Sequence, residues 1–261
     1  MKLAHLGLCA GLSLALTSTS ALAGMAVGLV GDKTLVVVDA DKPAVVRTMN
    51  VDGVGRLLGI DVRPSNGMLY GVAADGSVVT IDTRSGKASK VSKLEMMLPA
   101  DVAAIVDFNP VADKLRFMGT DGTNLRADVE TGKVTKDGSL AFEAGDMHAG
   151  ETPSIVAAAY SNSFGKPEKT AMYDVDSKIV ALIHQTKPND GTLKAIGKLG
   201  VPAGNSWAFD IQTGADGKNT AWLVGDNTLH WVALDTGKAS TVGMIAGVKG
   251  AIRDIAVLPK S

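Results

Sequence analysis

The stretch GIDVRPSNGMLYGVAADGSVVTIDTRSGKASKVSKL, residues 59–94, contains a pattern that recurs along the chain and predicts its fold. It reads as an apolar strand with an Asp, a strand that ends in an Asp-Gly turn, a third strand and an Asp-x-x-Ser-Gly-Lys turn. Residues 105–140 and 208–245 repeat the pattern closely, and residues 156–199 repeat it more loosely. Equivalent first-strand positions, spaced by 46, 52, 51 and 44 residues, are Asp61, Asp107, Ala159, Asp210 and Asp254. A period of this size indicates a solenoid or a propeller.

The two ends of the array distinguish between these architectures. Residues 25–51 match the second, third and fourth strands of the unit and lack a first strand, whereas residues 251–259, AIRDIAVLP, match a first strand alone. If the C-terminal strand completes the N-terminal blade, the ring closes and no long sheet edge is exposed. An open solenoid needs polar capping repeats, which neither end resembles. The sequence therefore predicts an all-β, five-bladed β-propeller of four-stranded antiparallel blades, as one domain over residues 24–261.

The first 23 residues have the layout of a secretory signal peptide. Lys2 precedes an apolar stretch over residues 6–16, and the small-x-small motif Ala21-Leu22-Ala23 follows. This layout predicts cleavage after Ala23 and an exported protein, periplasmic or extracellular. The apolar stretch is too short to span a bilayer, and no later segment approaches that length. The single cysteine lies within this leader, so we expect no disulfide in the mature chain.

Composition restricts the function classes. The formal net charge is −1 at pH 7 and the basic residues are scattered, so nucleic acid is not an expected partner. Aromatic residues make up 4% of the chain, which disfavours a site built from several stacking platforms. We expect a monomer.

The turn Asp-x-x-Ser/Thr-Gly-Lys recurs at Asp82 and Asp128 and, in a shorter form, at Asp235. An Asp side chain can accept hydrogen bonds from backbone N–H groups of such a turn, while Gly takes the left-handed position. Similar turns are common in propellers of the quinoprotein type. They do not match a phosphate-binding loop, which has a Gly-x-x-x-x-Gly-Lys run between a strand and a helix.

The first-strand aspartates are the main candidate site residues. Because the first strand of each propeller blade lies nearest the axis, we expect a near-continuous ring, broken at Ala159, of Asp61, Asp107, Asp210 and Asp254. Strand alternation places Arg63 and Asn109 on the same face. Crowded carboxylates must be hydrated, protonated, paired with cations or satisfied by backbone donors. Two interpretations remain open: the aspartates lock neighbouring blades through backbone N–H groups, or they bind a cation or another ligand.

A second candidate region interrupts the repeat at residues 141–155, AFEAGDMHAGETPSI. Its polar side chains are Glu143, Asp146, His148 and Glu151. Binding residues often lie on loops at one end of a scaffold. The segment contains one His and no ligand pair with zinc-site spacing, so a solvated inter-blade loop is the favoured interpretation.

Several longer motifs together are specific enough to carry a family resemblance. They are GIDVRPSNGMLYGV, VDFNPVADKLRFMGTDGTNLR, LAFEAGDMHAGETPSIVAAAYSNS and QTKPNDGTLKAIGKLG. The chain resembles domain-of-unknown-function family 4394, a family of exported bacterial proteins, from about Gly28 to Val257. The resemblance implies a β-propeller and export, and no established reaction. His148 stands where that family commonly has Asn, so the resemblance implies no role for it.

Three functions follow as hypotheses. The first is a binding or scaffolding protein that holds a protein partner or small ligand at one end of the ring, with no cofactor. The second is a glycan-active hydrolase in which Asp61, Asp107 and a loop residue, Glu143 or Glu151, supply a carboxylate pair at the spacing that such chemistry requires. The third is a structural propeller stabilised by a cation, for which oxygen ligands favour Ca²⁺.

Overall fold

The computed structural model describes residues 24–259 of the chain, and the predicted signal peptide lies outside these residues. Its described part contains 21 β-strands and no helix. The strands form five antiparallel sheets arranged as blades around one axis. The predicted five-bladed propeller is confirmed.

Each blade contains four antiparallel strands in order from the axis outward. Blades 1 and 2 consist of β21 (Ile252–Val257), β1 (Met25–Val30), β2 (Thr34–Asp39), β3 (Ala44–Asn50), and of β4 (Leu57–Val62), β5 (Leu69–Ala73), β6 (Ser77–Ile81), β7 (Ala88–Lys93). Blade 3 consists of β8 (Ala104–Asn109), β9 (Lys114–Gly119), β10 (Asn124–Ala127) and β11 (Val134–Lys136). Blades 4 and 5 consist of β13 (Ile155–Tyr160), β14 (Met172–Asp176), β15 (Ala181–Lys187), β16 (Thr192–Lys198), and of β17 (Trp207–Thr213), β18 (Asn219–Gly225), β19 (Thr228–Val232), β20 (Ala239–Met244).

The C-terminal strand closes the ring, as the ends of the repeat predicted. β21 pairs antiparallel with β1, and Asp254 lies opposite Leu29. The guanidinium of Arg253 donates hydrogen bonds to the carbonyl oxygens of Leu57, Leu58 and Gly31, at 2.6–2.8 Å. One side chain of the closing strand therefore ties blade 1 to the first strand of blade 2.

Blade 4 has one addition that the repeat did not predict. The two-residue strand β12 (Ala141–Phe142) pairs in parallel with β16, the outermost strand of that blade. The chain thus runs along the outer edge of blade 4 before it returns to the axis at β13.

The hydrophobic core is divided among the five gaps between neighbouring blades, each filled by one apolar cluster. Alternate side chains of each strand face the two neighbouring blades, so most residues of an inner strand are buried. The inner strands β4, β8, β13, β17 and β21 contact one another in sequence around the axis.

The repeated turns have the predicted chemistry. Oδ1 of Asp82 accepts hydrogen bonds from the backbone N–H groups of Arg84 and Ser85, and Oδ1 of Asp128 accepts those of the corresponding turn in blade 3. Gly132 of that turn has φ +80°. A Cβ at Gly132 would overlap the carbonyl oxygen of Lys93 at the end of β7. Glycine therefore serves both the left-handed turn and a close backbone contact with the preceding blade.

No helix among residues 24–259 has the length and apolarity needed to cross a bilayer.

Candidate functional site

The axial aspartates bridge neighbouring blades through backbone N–H groups, as the first of the two interpretations predicted. Oδ2 of Asp61 accepts a hydrogen bond from the N–H of Phe108 in blade 3, at 2.7 Å. Oδ1 of Asp107 accepts the N–H of Tyr160 in blade 4, at 2.9 Å. Blade 4 contributes Ala159 at the equivalent position, so it sends no carboxylate towards blade 5.

The remaining two carboxylates differ in depth along the axis, because the inner strands are offset from one another. Asp210 accepts the N–H of Val257, three residues beyond Asp254, whereas Asp254 accepts the N–H of Ile60, one residue before Asp61. Three carboxylates therefore converge, with one oxygen each within 4.8 Å of the others: Asp61, Asp107 and Asp210. This axial triad replaces the ring of four that was expected, and Asp254 lies below it.

The axial triad forms the floor of a cavity of about 320 Å³ that opens at one end of the ring. The mouth is built by turns from three blades and by the C-terminal segment, at Pro64, Gly67, Ser163, Phe164, Ala215 and Pro259. Most residues on the walls are apolar, including Val62, Ile211 and Val257. Phe164 is 56% exposed at the mouth. The cavity thus combines an acidic floor with a largely apolar wall and rim.

Burial raises the pKa values of these carboxyl groups. The pKa values of Asp61 and Asp107 are raised well above their usual range, first by burial and then by the neighbouring carboxylates. Burial raises the pKa of Asp210 to about 6 and that of Asp254 to about 7, against backbone hydrogen bonds that lower both. A positive charge in the cavity would favour the ionised forms.

One carboxylate oxygen of the axial triad is free to bind a ligand. Both oxygens of Asp61 and both of Asp210 accept backbone N–H groups. Asp107 uses Oδ1 alone, and within residues 24–259 no donor contacts its Oδ2. Asp107 is only 4% exposed and lines the cavity. Among residues 24–259 the triad therefore has one unpaired acceptor, on a residue that lines the cavity.

Arg63 and Asn109, expected on the face of the axial aspartates, have other contacts. Arg63 bridges blades 2 and 3: its guanidinium forms ion pairs with Asp113, at 2.7 Å, and with Glu130. Oδ1 of Asn109 accepts the N–H groups of Val111 and Ala112 and so caps the β8–β9 turn. Neither side chain lines the axial cavity.

The second candidate region lies on the outer edge of blade 4, apart from the axial triad. Oδ2 of Asp146 accepts the N–H of Ala195 in β16, at 2.7 Å. Nδ1 of His148 lies 3.0 Å from Glu151, and Glu143 pairs with Lys194 at 3.4 Å. The segment enters β13 at the end opposite the cavity mouth, so Glu143 and Glu151 do not join Asp61 or Asp107 in the pair that the hydrolase hypothesis requires.

The gap between blades 3 and 4 contains a buried polar network that the sequence analysis did not identify. Arg116, 3% exposed, forms an ion pair with Asp137 and donates hydrogen bonds to Asn124, Tyr160 and Asn189. Both carboxyl oxygens of the fully buried Asp174, and Oε1 of Gln185, have no hydrogen-bond donor in the described part of the chain. The sequence does contain a signal for this network: a charged residue stands within an apolar strand in YDVD (Asp174) and in KLRFMG (Arg116).

Together these features define a class: a five-bladed β-propeller with an acidic axial cavity. The chain belongs to the family described as Domain of unknown function (DUF4394), which matches residues 34–256. The resemblance inferred from the sequence motifs is thereby confirmed. No similar protein was found among curated proteins.

A solved structure with a TM-score above 0.5 shares the fold. A crystal structure of a protein of unknown function from Bacteroides thetaiotaomicron VPI-5482 is similar over 92% of this chain, at 17% identity and a TM-score of 0.53. The matched region is 65% of that structure, so the chain spans about two thirds of its length. A protein of unknown function from Bacteroides caccae is similar over 91% of this chain and 100% of its own, at 11% identity and a TM-score of 0.45.

Proposed function

We propose that this protein is an exported binding protein that holds a small ligand in the axial cavity. The observation that carries the proposal is the combination of a recess of about 320 Å³ with one unpaired carboxylate oxygen on its floor. Ligand sites are commonly concave and apolar, with a few placed polar groups, and their volumes begin at about 300 Å³. The cavity is built from turns of different blades on a closed ring, so it is formed before any ligand arrives.

The test uses two matched substitutions in turns at the same end of the ring. Ala215 lines the cavity mouth in the β17–β18 turn and is exposed, whereas Val111 is exposed in the β8–β9 turn and does not line the cavity. An indole at either position leaves the core unchanged. A library of charged and neutral fragments is screened against the mature protein by saturation-transfer NMR. We expect the bound fragments to bind about tenfold more weakly to Ala215→Trp and unchanged to Val111→Trp.

Fragments that bind equally well to Ala215→Trp would place their site elsewhere and contradict the proposal. A mature protein that binds no fragment of either class would contradict it as well.

Export is part of the proposal and rests on the layout of residues 1–23. Mass spectrometry of the protein recovered from the periplasm or medium should give a chain that begins at Gly24. Replacement of Ala23 by Asp should block this cleavage, because the leader peptidase requires a small residue at that position. An unprocessed chain that stays in the cytoplasm would contradict export.

A further inference from the structure

We propose that the ligand of the axial cavity is an organic ammonium ion: its N–H groups bind the axial triad through Oδ2 of Asp107, and its apolar body packs against the cavity wall. This inference rests on the proposed function and specifies the chemical class of the ligand.

The carboxyl groups on the floor of the cavity favour a positively charged ligand. One oxygen from each of three carboxyl groups lies within 4.8 Å of the other two. Among the described residues, Oδ2 of Asp107 is an unpaired acceptor, and Asp107 is only 4% exposed. A hydrogen bond to an ionised group is shorter and roughly twice as strong as a neutral one. Within the described residues no Lys or Arg side chain lines this cavity, so the protein itself places no cationic side chain on the triad there.

The hydrogen bonds already formed by the triad favour an ammonium group over a divalent metal ion. Five of the six carboxylate oxygens accept a backbone N–H group, which leaves one that is fully available. Ca²⁺ takes six to eight oxygen ligands at about 2.3–2.6 Å. An ammonium group needs one strong acceptor and gains further stabilisation from the nearby carboxylates at longer distance.

The hydroxyl groups of Thr213 and Ser163 on the cavity wall are already hydrogen-bonded, so they are poor additional ligands for a metal ion. The Thr213 hydroxyl donates to Oδ1 of Asn219 at 2.7 Å and accepts the N–H of Ser163, and the Ser163 hydroxyl contacts the carbonyl oxygen of Ile211 at 3.2 Å. Both hydroxyls are thus engaged at the mouth of the cavity.

The apolar part of the wall fits the body of the same ligand. Val62 and Val257 line the cavity together with the triad, and the ring of Phe164 is exposed at the mouth. An aromatic face near a cation adds an attraction that a hydrated metal ion, held at a distance by its water ligands, uses poorly. A ligand with a positive head and an apolar body would therefore bury both parts.

The experiment compares three probes on the processed protein by isothermal titration calorimetry: benzylammonium, its neutral analogue benzyl alcohol, and CaCl₂. We expect benzylammonium to bind at least about tenfold more tightly than benzyl alcohol. Asp107→Asn should abolish this preference, because an amide nitrogen replaces the free oxygen. Asp254→Asn is the matched control, since that carboxylate also lies on the axis and bonds backbone N–H groups but does not line the cavity. It should leave the preference unchanged.

Each other outcome overturns the inference. Equal affinity for the charged and neutral probes, or equal loss in the two variants, would show that the triad does not select an ammonium group. Binding of CaCl₂ without binding of benzylammonium would replace the ligand class and leave the proposed ligand-binding function in place.

Lys260, which follows the cavity-lining Pro259 in the sequence, is replaced by Ala in a parallel sample to remove a competing amine. Failure of benzylammonium to bind that variant as well would overturn the inference. Fragments that bind equally to wild type and Ala215→Trp would overturn the proposed function with it.

Discussion

The axial carboxyl groups make the free energy of unfolding depend on pH. Burial raises the pKa values of Asp210 and Asp254 to about 6 and about 7, above the unfolded value of about 3.9. A raised carboxyl pKa contributes stability that is fully present below the unfolded pKa and is lost as pH rises through the folded pKa. Asp128 acts in the opposite sense, because Lys114 lowers its pKa to about 2, and its contribution is lost only as pH falls below about 4.

In the absence of a bound cation, we therefore predict that stability falls between about pH 4 and pH 7, by about 1.4 kcal/mol per pH unit for each group that titrates. Chemical denaturation at successive pH values measures this slope. Asp254→Asn should reduce the slope of the free energy of unfolding against pH by the contribution of one titrating group. A profile that rises steadily from pH 4 to pH 7 in both proteins would show that these carboxyl groups are already ionised in the folded state.

Asp174 should oppose folding at high pH, because it is fully buried and no donor among residues 24–259 contacts its oxygens. Burial raises the pKa of Asp174 well above the usual range, so the folded state loses stability as pH rises and this carboxyl group must ionise. We predict that Asp174→Asn is more stable than wild type at pH 8, by about 1–3 kcal/mol, and that the difference shrinks towards pH 4.

The control for this substitution lies two residues along the same strand. The carboxylate of Asp176 accepts the backbone N–H groups of Ser154, Lys178 and Ile179. Asp176→Asn should therefore destabilise the protein at both pH values. Destabilisation of similar size by both substitutions at pH 8 would indicate that Asp174 has a partner that the structure does not show.

The repeated turn joins each blade to its predecessor. Gly132 and Gly122 have similar left-handed φ values, +80° and +86°, but only Gly132 faces backbone atoms of the preceding blade. Gly122→Ala should cost about 1 kcal/mol from backbone strain alone. We predict that Gly132→Ala costs about 1–3 kcal/mol more, because the new methyl group displaces Lys93 at the end of β7.

Urea denaturation of the two glycine variants measures the difference. Equal losses would mean that the blades separate slightly at no cost, and that the turn glycine serves local conformation only.

The whole molecule depends on the closure of its ring. Removal of residues 251–261 would remove β21, expose the edge of β1 and delete the contacts of Arg253 with blade 2. We predict that this truncated chain loses cooperative thermal unfolding, as followed by circular dichroism. A chain that lacks only residues 260–261 is the control and should unfold like the full protein. A truncated chain that stays monomeric and unfolds cooperatively would contradict closure by β21.

The strands, the number of blades and the ring closure follow from local sequence patterns. Alternating apolar residues, Asp-Gly turns and the Asp-x-x-Ser/Thr-Gly-Lys signature act over a few residues. The strands and turns of each repeat of about 45 residues are therefore specified within that repeat. The repeat also predicts that Asp61, Asp107 and Asp210 lie on the axis, because the first strand of each repeat is the innermost strand of its blade.

The contacts between side chains of different blades, in contrast, depend on tertiary packing. Neighbouring inner strands contact each other without pairing in a sheet, so their offsets along the axis depend on how whole blades pack. An offset of a few residues separates Asp254 from the axial triad. The same packing brings turns from three blades together at the cavity mouth and buries Arg116 and Asp174 between blades 3 and 4. These juxtapositions join residues far apart in the chain, and no local pattern specifies them, because their energy arises from contacts that exist only once the ring is closed.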